Sequence, residues 1–264
     1  MKKVFFTSKV INNAHRGYSA AYPENTFASI QAAVDAGADV IETDLRMTAD
    51  GKVVLIHDES VERLADGSGK IAEMTYHDLS QLDFGYRFTL DKGKTFPFRG
   101  KGNGIVLFEE ALRRFPDMRF NVDLKDNSLM LVDASIRIVQ DQSAADRVLA
   151  GSFFEANVKS LRRKMPGIAT ACTSSEVLFL MFLSKTGLMP LKKTFAGDAV
   201  QIPEYAGGVR LITPSFVKDA HAKDLSVYVW TVNNEKDMIR LLSYGVDGIF
   251  TDDPALLNSV CHRK

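Results

Sequence analysis

Residues 42–59 read ETDLRMTADGKVVLIHDE, with two acids, Glu42 and Asp44, before an Asp-Gly pair and His57 and Asp58 after it. Asp50-Gly51 between apolar runs is a strong signal for a two-residue hairpin loop. With that loop, Ala49 pairs with Lys52, and counting outward sets Asp44 opposite His57. Strand side chains alternate, so Glu42 and Asp44 share a face. Opposed residues hold their Cβ atoms roughly 4.5–5.5 Å apart. A bulge would slip the register by one and aim His57 at the other face. Two carboxylates beside an imidazole can hold a cation and move a proton.

The elements that carry such residues alternate along the chain. Strands are expected at 10–15, 40–47, 119–125, 148–154, 167–173, 199–205, 227–233 and 247–252. Helical patterns follow them at 24–37, 107–115, 128–140, 156–164, 175–185, 214–224, 235–245 and 254–260. In the first, Phe27, Ile30, Ala33 and Val34 have helical spacing, and Gly37 stops it. Eight strands, each followed by a helix, predict an α/β fold closed as a (β/α)8 TIM barrel. An open doubly wound sheet is the rival, but no GxGxxG follows the first strand. The 42–59 hairpin extends strand two and is not a further barrel strand. Residues 58–104, with a short helix at TYHDLSQLD, are too long for a simple connection and read as a small inserted subdomain over one rim.

Reactive residues of such barrels gather at the C-terminal ends of the strands. That rule adds His15 and Arg16 from the first strand, Asp123 and Lys125 from the third, and Trp230 from the seventh. Glu42, Asp44 and Asp123 are hard oxygen donors that suit Mg²⁺ or Ca²⁺, with Mn²⁺ as a further candidate. Arg16 and Lys125 suit phosphate oxygens. His15 and His57 suit proton transfer near neutral pH. Together they predict metal-assisted hydrolysis of a phosphodiester. Alone, Glu42 and Asp44 would read as a solvated strand end and His57 as a structural histidine. Convergence on one rim tips the balance. Trp230 divides evenly between core and substrate wall. Asp58 reads as a turn or supporting residue facing away from His57's side, and DGSGK (66–70) as a turn. His77, His221 and His262 fall on surfaces.

Composition sets bounds. The 264 residues are 45% hydrophobic and 25% charged, ordinary for a globular chain that needs no disulfides. Lys+Arg and Asp+Glu are 33 each, so no basic excess suggests nucleic acid. Cys172 and Cys261 lack metal-ligand spacing and read as reduced thiols. The N-terminal MKKVFFTSKV is interrupted by Lys9 and Asn12–Asn13, unlike a secretory signal. VLFLMFL (177–183) is too short to span a bilayer. A cytoplasmic protein is the expectation. VLFLMFL is followed by the basic SKTGLMPLKK, so weak membrane or lipid contact is expected near 177–193.

The segment NAHRGYSAAYPENTFASIQAAVDAGADVIETDLRMTADGKVVLIHDESVERLADGSGKIAEMTYHDL resembles the glycerophosphodiester phosphodiesterase family. His-Arg-Gly, Pro-Glu-Asn-Thr, Glu-x-Asp, Asp-Gly and His-Asp occur in the family's order and spacing. NVDLK, GSFF and VYVWTVN…GVDGIFTDDP extend the likeness over nearly the whole chain. The resemblance implies one TIM-barrel domain over 1–264, a small-molecule glycerophosphodiester substrate, a divalent metal, and products sn-glycerol 3-phosphate and an alcohol. By motif it implies His15 and His57 as the acid/base pair and Glu42, Asp44 and Asp123 as metal ligands. It implies Arg16 and Lys125 as phosphate contacts and Trp230 as a substrate wall. The family usually has Glu where Asp123 stands. Before the helix, IVLFEEAL departs from the usual Pro-Thr, and Glu109 reads as a helix-start residue. Two alternatives stand beside this. One is a lysophospholipase D or sphingomyelinase D-like activity; the other is a non-catalytic phosphodiester-binding barrel, which two histidines disfavour.

Overall fold

The computed structural model describes residues 3–6 and 10–262. Met1, Lys2 and residues 7–9, part of the N-terminal stretch read above against a signal, lie outside the described residues.

The strands are β1 (Ile11–His15), β2 (Val40–Met47), β3 (Val53–Leu55), β4 (Arg119–Leu124), β5 (Val148–Gly151), β6 (Ala169–Thr170), β7 (Ala199–Pro203), β8 (Tyr205–Ala206), β9 (Val209–Arg210), β10 (Ser226–Trp230) and β11 (Gly248–Thr251). The helices are α1 (Phe27–Asp35), α2 (Tyr76–Ser80), α3 (Phe108–Arg114), α4 (Leu129–Asp141), α5 (Glu155–Lys164), α6 (Ser174–Thr186), α7 (Pro214–His221), α8 (Glu235–Ser243) and α9 (Pro254–Cys261). Eight parallel strands run in the order β6-β5-β4-β2-β1-β11-β10-β7. A single parallel bridge, Ala171 to Ala199, joins the two ends and closes the ring. This is the expected (β/α)8 barrel, with a helix after each barrel strand.

The sequence explains the layers. Along β2, the inward residues Val40, Glu42 and Asp44 pass from apolar to charged. Ile11, Val40, Leu149, Ala169 and Tyr228 pack in the barrel's lower half, and Phe5 plugs it from below. Two larger apolar clusters, around Ile41 and Phe120 and around Val227 and Ile249, fill the space between strands and helices. The upper half is left for polar side chains.

Two expectations fail locally. The 199–205 strand stops at Pro203, and Tyr205–Arg210 folds into a small hairpin. Gly207 and Gly208, both at positive φ, make its turn. The second concerns the 42–59 hairpin. β2 and β3 pair Leu45 with Leu55 and Met47 with Val53, and Ile56 N–H donates to the Asp44 carbonyl at 2.9 Å. Asp44 is therefore opposite Ile56, one residue away from the expected register. The loop holds three residues, because Thr48 N–H bonds Lys52 O and Gly51 takes φ +76°. The extra residue is the left-handed glycine typical of a three-residue hairpin.

Between this hairpin and α3, the chain builds a separate apolar cluster of Ile56, Val61, Ala65, Ile71, Leu79, Phe84 and Ile105. The short α2 sits in it with Thr75 as its cap. Leu107 returns to bridge Val54, which ties the segment to the barrel.

Candidate active site

The eight residues singled out above line one cavity of about 670 Å³ at the C-terminal rim. Parallel register explains how. His15, Glu42 and Asn121 are side-by-side partners on β1, β2 and β4, and Asp44 partners Asp123 one step higher.

After β1 the chain turns sharply. Arg16 and Gly17 take φ +59° and +83°. A Cβ on Gly17 would lie 2.5 Å from Ser29 Oγ, so only glycine fits. Arg16 is a non-glycine residue in the left-handed region, a cost that structures retain mainly at functional sites. Its N–H donates to the Glu42 carbonyl at 2.9 Å and reaches Glu42 Oε2 at 3.2 Å. Pro-Glu-Asn-Thr then supports the site. Glu24 Oε1 lies 3.0 Å from Arg16 Nη1. Asn25 donates to Asp44 at 3.2 Å and accepts from Thr43 at 2.6 Å. Thr26 caps α1 in a capping box with Ser29.

The carboxylates differ. Burial would raise Asp44, but Lys125 Nζ at 3.0 Å and Arg16 Nε at 3.1 Å hold it below the usual range. Asp123 is raised by burial, despite Lys125 Nζ at 2.6 Å. Glu42 is pushed up to about 7 by burial and by neighbouring Asp44. Its ion-pair partner is His15 Nε2, 3.9 Å away. Three acids thus face one arginine and one lysine, and Glu42, with only the distant His15 as ion-pair partner, is the acid most readily protonated. This donor set of three convergent hard carboxylate oxygens fits a divalent cation. Among the described residues, no three His, Cys, Asp or Glu side chains stand together in a ready cation cage. Lys125 Nζ stands between Asp44 and Asp123 instead.

Each histidine is held at Nδ1 by an aspartate. His15 Nδ1 lies 2.6 Å from Asp252 Oδ1. Asp252 also accepts from Ser19 at 3.0 Å and Asn233 at 2.6 Å. Burial alone would lower His15, but the Asp252 bond and the Glu42 charge outweigh it and raise it. His57 Nδ1 lies 2.8 Å from Asp58 Oδ1. β3 ends at Leu55, so His57 and Asp58 are free of strand alternation, and Asp58 turns toward His57 instead of away. The slipped register therefore does not remove His57 from the cavity. Arg46 fixes the bend, donating from Nε to the His57 carbonyl at 2.9 Å while its guanidinium pairs with Asp126.

Asp252, Glu24, Arg46 and Arg63 were missed by sequence reasoning. Arg63 binds Asp58 and also both oxygens of Glu24, at 2.7 and 2.8 Å. The strand-end rule applied to the last strand would have found Asp252 in TDDP. No local signal marks Arg63. Of the remaining candidates, Trp230 lines the cavity and also packs on the lower barrel cluster. Glu109 is in the first turn of α3, as expected. His221 pairs with Asp247 at 2.7 Å, away from the cavity lining.

Opposite the charged side, the cavity is apolar. Phe153, Val177, Leu178, Met181 and Leu211 form that wall. Among the described residues, no helix is long and apolar enough to cross a membrane.

Comparison with known proteins places this arrangement. A glycerophosphodiester phosphodiesterase of Caldanaerobacter subterraneus is 30% identical over 97% of this chain and 99% of its own length. A human lysophospholipase D is 26% identical over 99% of this chain and 88% of its own. A phosphodiesterase of Oleispira antarctica, solved with the product sn-glycerol-3-phosphate, superposes with a TM-score of 0.77 at 26% identity, covering 94% and 95% of the two chains. The profile of the Glycerophosphoryl diester phosphodiesterase family matches residues 15–256. With the profile running from the first cavity histidine into the last helix, this chain belongs to that family.

Proposed function

We propose that this chain hydrolyses glycerophosphodiesters to sn-glycerol 3-phosphate and an alcohol. The observation that carries the reading is the pair of cavity histidines, each tied at Nδ1 by an aspartate. Tying Nδ1 fixes the ring and leaves Nε2 as the nitrogen that exchanges a proton with substrate. Ester cleavage needs one proton removed from the attacking oxygen and one delivered to the leaving oxygen. A phosphodiester-binding barrel without chemistry would need neither. Arg16 and Lys125 hold phosphate oxygens, and Trp230 bounds the glycerol or alcohol group.

Glu42, Asp44 and Asp123 would hold a divalent cation, Mg²⁺ or Ca²⁺ before Mn²⁺. Bound there, it supplies polarisation of a phosphoryl oxygen. The convergence of three buried carboxylates on one cavity supports this, and Lys125, which lies between Asp44 and Asp123, would be within reach of a bound phosphate.

Purified protein is given glycerophosphocholine after chelator treatment, then Mg²⁺, Ca²⁺ or Mn²⁺, with sn-glycerol 3-phosphate measured. Activity should vanish with chelator and return with cation. Absence of product with every cation overturns the hydrolase reading. Full activity in chelator overturns the metal alone.

A second reading has the same site act on lysophospholipids. The apolar wall of Phe153, Val177, Leu178, Met181 and Leu211 favours it, as does the human relative's activity. Lysophosphatidylcholine assayed beside glycerophosphocholine separates the two by whether lysophosphatidic acid appears.

A further inference from the structure

We infer that α6 and the turn after it, through Lys193, dock on the surface of an anionic bilayer, with the cavity mouth beside the contact. α6 is held to the barrel by one side only. Leu180 and Leu183 are buried, while Leu178, Phe179 and Phe182 are 68%, 44% and 54% exposed. Leu188 and Leu191 continue the exposed apolar face past the helix end. Surfaces of this kind mark interaction sites when rimmed by polar groups.

Charge selects the partner. From Val177 to Gly197 the chain has no acidic residue, and Lys185, Lys192 and Lys193 are interspersed with the apolar ones. Lys185 and Lys193 are exposed. Lys192 Nζ lies 5.9 Å and 5.8 Å from the ring centroids of Phe179 and Phe195. Apolar side chains alternating with lysines match the interface of a membrane carrying acidic lipids. A second protein would more often offer a pocket for the aromatics than a field of negative charge.

Position gives the contact its use. Val177, Leu178 and Met181, on the same helix, line the cavity. Phe153, 64% exposed, faces them from the end of β5. The exposed face and the apolar cavity wall are thus continuous. An amphiphile leaving the bilayer would pass along apolar side chains with its phosphate directed toward Arg16 and Lys125. Bilayer docking itself does not depend on the proposed hydrolysis.

The test is vesicle sedimentation of the whole protein without substrate. Vesicles of phosphatidylcholine alone are compared with vesicles containing phosphatidylglycerol, at low and high salt. Two variants accompany the wild type: Phe182→Ser with Leu191→Ser, and Lys185→Gln with Lys192→Gln and Lys193→Gln. None of these residues lines the cavity. The wild type should pellet with the anionic vesicles and be released by salt. Each lysine should contribute about fivefold to partitioning, and both variants should stay in solution while hydrolysing glycerophosphocholine as the wild type does. The charge variant changes no buried side chain, so it keeps the test open if the apolar variant misfolds. Failure of the wild type to pellet overturns the inference. So does retention of binding in the charge variant. A wild-type dimer on size exclusion that the apolar substitutions dissociate would show a second copy covering the face, and would overturn it as well.

Discussion

The two histidine stations are built on opposite plans. His15 ends a barrel strand, and its aspartate directly follows another barrel strand, with Ser19 and Asn233 completing the setting. Its position is fixed by the ring of parallel strands itself. His57 stands beyond the end of a three-residue hairpin strand. Its aspartate is anchored by Arg63 of the inserted segment, and its backbone by Arg46. One station is rigid scaffold, the other an attachment held by charge. The contrast shows how a barrel gains a residue on the far side of its cavity: it extends a strand past the rim and fastens it with ion pairs.

The largest test of this comparison is removal of either ring. His15→Ala and His57→Ala should each lower turnover about 10²–10⁴-fold, the usual contribution of positioned acid/base groups. Unchanged circular dichroism would confirm that the fold survives. If one variant stays active, the two stations are not partners in one reaction.

A smaller loss is expected from Asp252→Asn. A charge-assisted hydrogen bond contributes about 1.5–3 kcal/mol, so kcat/KM should fall about ten- to hundredfold. The sign on pH is fixed. Asp252 raises His15, so the variant's His15 should titrate lower, and the limb of the pH–rate profile that belongs to it should move to lower pH. Nuclear magnetic resonance of the ring would show whether the shift is on His15. A uniform drop in rate with no shift would reduce Asp252 to packing.

Arg63→Gln should be the mildest. Arg63 is half exposed, and exposed ion pairs contribute about 0–1 kcal/mol, so a loss of up to about fivefold in kcat/KM is expected. Burial alone would raise Asp58, but its bonds from Arg63 and His57 bring it to about 2. A depressed carboxylate stabilises the fold above its ordinary value near 4 and loses that contribution as pH falls toward about 2. The urea midpoints of wild type and variant should therefore differ at neutral pH and converge at the acid end. A difference that persists there would place the role of Arg63 elsewhere.

Much of this molecule was legible in its sequence, for reasons the structure makes plain. The barrel helices carry caps such as Thr26, Thr173 and Thr213, and all but the apolar α6 carry helical periodicity, so each expected helix exists within a few residues. The cavity residues could be placed because strand alternation and strand ends decide where side chains point in a parallel barrel. Register was not legible. Asp50-Gly51 suits both a two- and a three-residue loop, and the difference depends on Thr48 bonding Lys52 twice over, from backbone and side chain. Gly207-Gly208, just past the expected 199–205 strand, is a readable hairpin-turn signal that the strand assignment leaves unused. The supporting ion pairs were hidden for a different reason. Arg63 and Glu24 are 39 residues apart, and no local pattern records a meeting at that distance.

The bond between His15 and Asp252 joins residues 237 positions apart, the ends of β1 and β11. Contacts of such separation form late, because the intervening chain must first be ordered. Emerging from the ribosome, the polypeptide carries seven of the cavity's eight named groups once Lys125 is made; Trp230 is synthesised late, and His15, although made early, waits for Asp252 beyond β11. A nascent or prematurely released chain lacking Gly248–Thr251 and Asp252 has an open ring and an unset His15. Appearance of activity would thus report synthesis through Asp252 and ring closure in a single event.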